Sequence, residues 1–256
     1  MRTIRTILLG TFLLGSCSLA QAEPQVIRIA TEGAFPPYNF VKPDGSLGGF
    51  DVDIANALCA EMKVQCKLVK QDWDGIIPGL MAKKYDAIVA SMAITEERKQ
   101  KVAFTAKYEG GYSMLFGRQQ LTDSSPAALQ GKVIAVQKGA IQEDFAADYY
   151  EKAGIGLRRY PDTQTAMLDL TAGRVDAVLL EVGNVYEAKK DPNLADYHGF
   201  GERFQDPKYF GTGSGIAVRK ADQALLGQLN QALASILANG TYKQINDKYF
   251  PYDQYE

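Results

Sequence analysis

A mainly parallel α/β architecture is predicted by two observations. Short apolar runs alternate with segments of helical periodicity along most of the chain, and the pattern is traversed twice. Val26-Ile27-Arg28-Ile29-Ala30 reads as a strand, followed by a proline-rich loop through Pro36-Pro37. Phe50 to Met62 places Val52, Ile54, Ala55 and Leu58 at helical spacing. Cys66 to Val69 is a strand, and Asp72 is positioned to cap a helix running through Ile76, Ile77 and Leu80 to Lys83. Ala87 to Ala90 is the next strand; a small-residue turn and a charged helical start carrying Arg98 follow it.

The second traverse begins at the strand Val133-Ile134-Ala135-Val136 and continues with a helix from Gln142 to Lys152 and a strand from Leu157 to Tyr160. Thr163 to Ala172 reads as a helix ended by Gly173, and Ala177-Val178-Leu179-Leu180 as a strand ending at Glu181. Similar junctions, Lys83-Lys84-Tyr85-Asp86-Ala87 and Gly173-Arg174-Val175-Asp176-Ala177, precede the last strand of each set. The C-terminal part returns to a strand (Gly215 to Val218) and two helices (Gln223 to Ala238, Tyr242 to Lys248). No Pro/Ser linker separates the sets, so strands or tight hinges are expected to join them.

Met1 to Ala22 has the layout of an export signal: basic Arg2 and Arg5, an apolar middle from Ile7 to Gly15, and the small-x-small site Ala20-Gln21-Ala22. Acylation at Cys17, within Leu14-Gly15-Ser16-Cys17, is the second reading. Cleavage after Ala22 leaves about 234 residues with 26 basic and 30 acidic side chains. That net charge near −4 supplies no basic footprint for nucleic acid. The remaining cysteines, Cys59 and Cys66, form a close even pair, expected as a disulfide in an oxidising compartment, with two buried thiols as the alternative. No metal site is expected, because His198 is the sole histidine and lies far from both.

The stretch Ser91-Met92-Ala93-Ile94-Thr95-Glu96-Glu97-Arg98 carries the most chemical information. A strand end followed by a helix start presents free backbone N–H groups, and a guanidinium one turn later can grip both oxygens of a carboxylate, with an ordinary strand-to-helix turn carrying a surface Arg as the alternative. No Ser/His/Asp set can be assembled around His198, and no phosphate loop is present.

With these segments on view, the chain resembles the periplasmic solute-binding proteins of ABC importers, in particular the polar amino-acid group that includes lysine/arginine/ornithine- and histidine-binding proteins. The resemblance spans nearly all of the chain after the signal. It rests on Arg28 to Pro37, Gly49-Phe50-Asp51-Val52-Asp53-Ile54, Trp73-Asp74-Gly75-Ile76-Ile77-Pro78, Asp86 to Arg98, Leu170 to Ala177 and Lys208-Tyr209-Phe210-Gly211. It implies the type II fold, two similar α/β lobes joined by two hinge strands and closing over one solute. Lobe 1 is expected at 23–112 plus 213–256 and lobe 2 at 113–212. It further implies a monomer in the periplasm, without cofactor, that delivers its solute to an inner-membrane ABC permease.

The resemblance also implies a binding set. Arg98 would hold the ligand's α-carboxylate, with Ala90, Ser91 and Ala93 beside it. Ile141 and Gln142 would present the opposite lobe's helix start, and Glu181 would meet the α-ammonium. Glu32 would take a distal cation, with Phe35 and Trp73 sandwiching the ligand's stem. Ala93, Ala140 and Ile141 stand where the family carries hydroxyls, a change worth about three hydrogen bonds at roughly 0.5–1.5 kcal/mol each. The expected solute is therefore arginine, ornithine or lysine, or a derivative such as an opine or agmatine. A dehydratase-like enzyme on the same fold and a ligand-sensing domain are the alternative readings.

Overall fold

The computed structural model describes residues 25–256. The signal-peptide and Cys17 readings fall outside the described residues. In chain order the elements are β1 (Val26–Thr31), β2 (Ala34–Phe35), β3 (Asn39–Val41), β4 (Leu47–Gly48), α1 (Phe50–Glu61) and β5 (Gln65–Lys70). Then come α2 (Ile76–Met81), β6 (Ala87–Ile88), α3 (Glu96–Lys101), β7 (Ala103–Glu109), β8 (Ser113–Arg118) and β9 (Val133–Gln137). α4 (Ile141–Tyr149), β10 (Gly156–Tyr160), α5 (Thr163–Thr171), β11 (Ala177–Glu181), α6 (Val182–Ala188) and β12 (Tyr197–Phe204) follow. α7 (Pro207–Phe210), β13 (Ser214–Val218), α8 (Gln223–Ala238) and α9 (Thr241–Tyr249) complete the chain.

Two five-stranded sheets, ordered β5-β1-β6-β13-β7 and β10-β9-β11-β8-β12, form the cores of two lobes. Each has the same plan. Three parallel strands come first, then an antiparallel fourth strand, then a fifth that is antiparallel to the fourth. In each lobe that fourth strand is the one entered on crossing from the other lobe: β8 after Gly110-Gly111-Tyr112, and β13 after residues 205–213. The sheets are thus mixed where a mainly parallel arrangement was expected, because each crossing strand returns against the direction of the strands it joins.

Burial explains why these segments are strands. All five residues of β13 are buried, as are the four apolar residues of β11, as expected for strands covered on both faces. α8 buries Leu229, Ala232, Leu233 and Ile236, one stripe at helical spacing. α1 is preceded by Gly49, where φ is +116° and a Cβ would lie 2.3 Å from the Tyr38 carbonyl oxygen, so only glycine fits. The helix expected from Asp72 is shorter: a 3₁₀ turn spans Trp73–Gly75 and α2 runs from Ile76 only to Met81. The Asp72 carboxylate makes no cap bond and instead meets Lys70 at 3.2 Å.

Cys59, near the end of α1, is bonded to Cys66 in β5 as a disulfide with a Cα–Cα separation of 5.9 Å. It ties the helix end to the edge strand. Among the described residues, no helix is long and apolar enough to cross a membrane.

Candidate functional site

The C-terminal ends of the parallel strands of both sheets face each other across the interlobe cleft, where α/β folds place ligands. Glu32 follows β1, Ala90 and Ser91 follow β6, Gln137 ends β9 and Glu181 ends β11. All ten residues proposed from sequence (Glu32, Phe35, Trp73, Ala90, Ser91, Ala93, Arg98, Ile141, Gln142, Glu181) line one small interlobe cavity of about 30 Å³. Gln137 and Ala140 complete the lining. A wider cleft of about 900 Å³ opens on the outer side of Trp73 and Arg98.

The lobes are closed on each other, and residues of the cavity make part of the closure. Gln137 Nε2 donates to Glu32 Oε1 at 2.5 Å, and Trp73 Nε1 donates to the Gly139 carbonyl at 3.0 Å. Thr163 Oγ1 donates to the Ala34 carbonyl, Asn184 Nδ2 to the Pro36 carbonyl, and Lys138 faces Asp74 at 3.5 Å. Gly139 presents its carbonyl from a left-handed turn at φ +73°, while its N–H donates to Glu143 Oε2 at 2.7 Å.

Arg98 is placed by the local fold. Thr95 Oγ1 accepts from the Arg98 backbone N–H, capping α3 and starting the helix one turn before the guanidinium. The guanidinium is buried, its carbon 5.3 Å from the centroid of Trp73. Nη1 donates to the Ala93 carbonyl at 3.2 Å and Nη2 lies 3.4 Å from the Gly139 carbonyl. Burial pulls its pKa down to about 10. Among the described residues it is the one cation lining the interlobe cavity.

Two acids oppose it. Glu32 is 4 % exposed, and burial pushes its carboxyl up to about 7 against the lowering effect of the Gln137 hydrogen bond. Glu181 is likewise raised to about 7 by burial, partly offset by Ser113 and Gln142. Gln142 Nε2 donates to Glu181 Oε1 at 3.0 Å and to Ser113 Oγ at 3.1 Å. Glu181 precedes α6 without capping it, so its carboxylate is held at the cavity rather than at the helix end. Phe35 serves two roles, lining the cavity and stacking on Tyr38 at 5.2 Å.

Ser91 differs from expectation. Its hydroxyl donates to Asp51 (3.1 Å to Oδ2) and its N–H donates to the Tyr108 hydroxyl at 2.9 Å, so neither proton points at the cavity. Asp51 also accepts from Asn39 Nδ2 at 2.7 Å and from the Tyr108 hydroxyl at 2.5 Å. This buried network holds Ser91 at φ +45°, a left-handed conformation that a serine rarely adopts. Burial raises the Asp51 carboxyl to about 6 even with these donors. Sequence reasoning assigned Asp51 no role; an acid at the start of an apolar helix stripe was the available signal. Gln137 was missed too, although a polar residue directly after the apolar run 133–136 marks a strand end.

Comparison with known proteins places this geometry. An L-arginine-binding protein of Pseudomonas aeruginosa is 45% identical over 251 residues, covering 97% of each chain. The histidine-binding periplasmic protein of Salmonella typhimurium is 39% identical over 236 residues, covering 91% of each. Among solved structures, a periplasmic binding protein of Salmonella typhimurium described for its high arginine specificity superposes with a TM-score of 0.83 at 34% identity, covering 88% of this chain and 99% of that one. Each of these relatives is a binding protein. Residues 27–252 match the family model, and the chain belongs to the bacterial extracellular solute-binding proteins, family 3.

Proposed function

We propose that this protein captures a cationic amino acid, arginine first among them, in the periplasm and delivers it to an ABC permease of the inner membrane. The observation that carries the reading is the charge layout of one interlobe cavity: a buried carboxylate (Glu32), a half-buried one (Glu181), one buried guanidinium and aromatic walls. Arg98 takes the α-carboxylate, Glu181 the α-ammonium and Glu32 the distal cation, while Phe35 and Trp73 flank the stem. Arginine carries the complementary charges in that order. The arginine- and histidine-binding relatives support the class of solute. The apolar Ala93, Ala140 and Ile141 keep derivatives such as agmatine and opines among the candidates.

The strand membership of the two sheets supports lobe 1 at 23–112 plus 213–256 and lobe 2 at 113–212. The basic and apolar N-terminal stretch supports export, with the protein acting as a monomer. A thermal-shift screen over arginine, ornithine, lysine, histidine, agmatine and opines tests the ligand, since a solute bound only by the native state raises Tm. The largest shift is expected for arginine. A preference for acidic or neutral amino acids would overturn the reading. Recovery of bound arginine unchanged by mass spectrometry is expected of a binder, and a product would favour an enzyme.

A further inference from the structure

The cavity between Glu32 and Glu181 measures about 30 Å³, whereas small-molecule sites run to about 300–1,000 Å³. A solute as long as arginine is held only with the lobes set further apart. Trp73 and Arg98 line both this cavity and the outer cleft of about 900 Å³, so they form the wall between the two spaces. That wall is closed by contacts from lobe to lobe. Trp73 Nε1 donates to the Gly139 carbonyl at 3.0 Å, and Arg98 Nη2 lies 3.4 Å from the same oxygen. Widening the lobes to admit a solute parts these contacts and opens the cavity into the cleft.

Of the three charged groups assigned to the ligand, Arg98 lines the outer cleft, and Glu32 and Glu181 do not. The cleft therefore continues the ligand site at its carboxylate end. Its lobe 1 floor is apolar, with Ile77, Pro78 and Met81 of α2 on it. The acids of its lining are already held: Asp74 faces Lys138 at 3.5 Å, and Glu143 meets Arg159 at 2.5 Å. Lys101, the remaining cation of the lining, has only an exposed pair with Glu97.

We propose that the outer cleft receives the residue that follows arginine in a short peptide, so that the solutes of this protein include dipeptides with arginine first and an apolar residue second. The inference rests on the proposed function, with Arg98 at the carboxyl end of the ligand. In Arg-Leu the first residue keeps a free α-ammonium for Glu181 and its guanidinium for Glu32. Its peptide carbonyl accepts from Arg98, whose five N–H donors have two backbone carbonyls as their described partners. The terminal carboxylate moves one residue on, about 3.8 Å, toward the side where Lys101 lies. The leucine side chain covers the α2 floor. In the reversed peptide, Leu-Arg, the arginine nitrogen is a neutral amide and leaves the Glu181 carboxylate without a cation.

Calorimetry with arginine, Arg-Leu and Leu-Arg tests this, with the bound peptide recovered and identified by mass spectrometry. Arg-Leu is expected intact and within about tenfold of arginine in affinity, and Leu-Arg at least about tenfold weaker than Arg-Leu. Met81 is 51 % exposed and absent from the inner cavity, so Met81→Asp puts a negative charge on the cleft floor without disturbing the core. It should weaken Arg-Leu at least about fivefold while arginine stays within about twofold. Arginine bound with Arg-Leu weaker by more than about tenfold overturns the cleft proposal and leaves the proposed function standing. Leu-Arg bound as tightly as Arg-Leu, equal losses for arginine and Arg-Leu in Met81→Asp, or recovery of free arginine in place of the dipeptide overturns it as well. Failure of all three ligands to bind overturns the proposed function and this inference with it.

Discussion

Arg98 is a buried cation whose described partners are two backbone carbonyls and an indole face, with no carboxylate among them. In the proposed function a ligand carboxylate would supply the missing counter-charge. Arg98→Ala should therefore cost about 2–5 kcal/mol of arginine affinity by calorimetry. Agmatine, which has no carboxylate, should lose little or gain. A parallel loss for both would mean that the guanidinium does not meet a carboxylate. Glu32 is read by the opposite comparison. Glu32→Gln should weaken arginine by about 1.5–3 kcal/mol, the range for a hydrogen bond to a charged group. Citrulline, its neutral isostere, should weaken less or improve because a buried charge is removed. Equal losses for arginine and citrulline would sink the role of Glu32 in reading a cation.

At the scale of elements, the disulfide belongs to lobe 1 and touches nothing in the cavity. Closing an eight-residue loop, it should contribute about 2–3 kcal/mol in the chain-entropy model. Reduction, or a Cys59→Ser/Cys66→Ser pair, should lower the unfolding free energy by that amount in a denaturant titration, while arginine affinity stays within about twofold. A large affinity loss would show that α1 and β5 are coupled to closure. The same elements show what local sequence can specify. α8 was readable to its ends because a single apolar stripe defines it, and β11 because a continuous apolar run stops at an acid. β12 was not readable: glycines and charges interrupt its pattern, and it is a strand through pairing with β8, with a bulge between Phe200 and Phe204. The ten cavity residues could be named because each falls at a position that the resemblance to a family of binding proteins carries over, within short motifs that keep their order and spacing in the sequence. The Asp51–Asn39–Tyr108–Ser91 network could not, since the fold alone brings its hydrogen-bonded members together, Asp51 and Tyr108 lying 57 positions apart in the chain.

At the scale of the whole molecule, closure itself should depend on pH, and in opposite directions with and without ligand. Glu32 is buried and Glu181 half-buried between the lobes, and desolvation raises both carboxyls from 4.5 to about 7. In an opened cleft both face water and regain ordinary carboxyl behaviour. The closed form therefore binds more protons than the open form between about pH 4.5 and 7. By linkage, closure without ligand is favoured at the low end of that window and is lost progressively as pH rises through it. A carboxyl displaced that far contributes on the order of 3 kcal/mol to the preference. A cationic solute inverts the sign, because it needs both carboxylates ionised: arginine affinity should rise over the same window. Small-angle scattering of the ligand-free protein at about pH 5 and about pH 8, either side of most of that titration, should show the smaller radius of gyration at the acidic end. Calorimetry across the same range should show tighter arginine binding at the alkaline end. If ligand-free closure and arginine affinity move in the same direction with pH, these two carboxylates do not control the cleft.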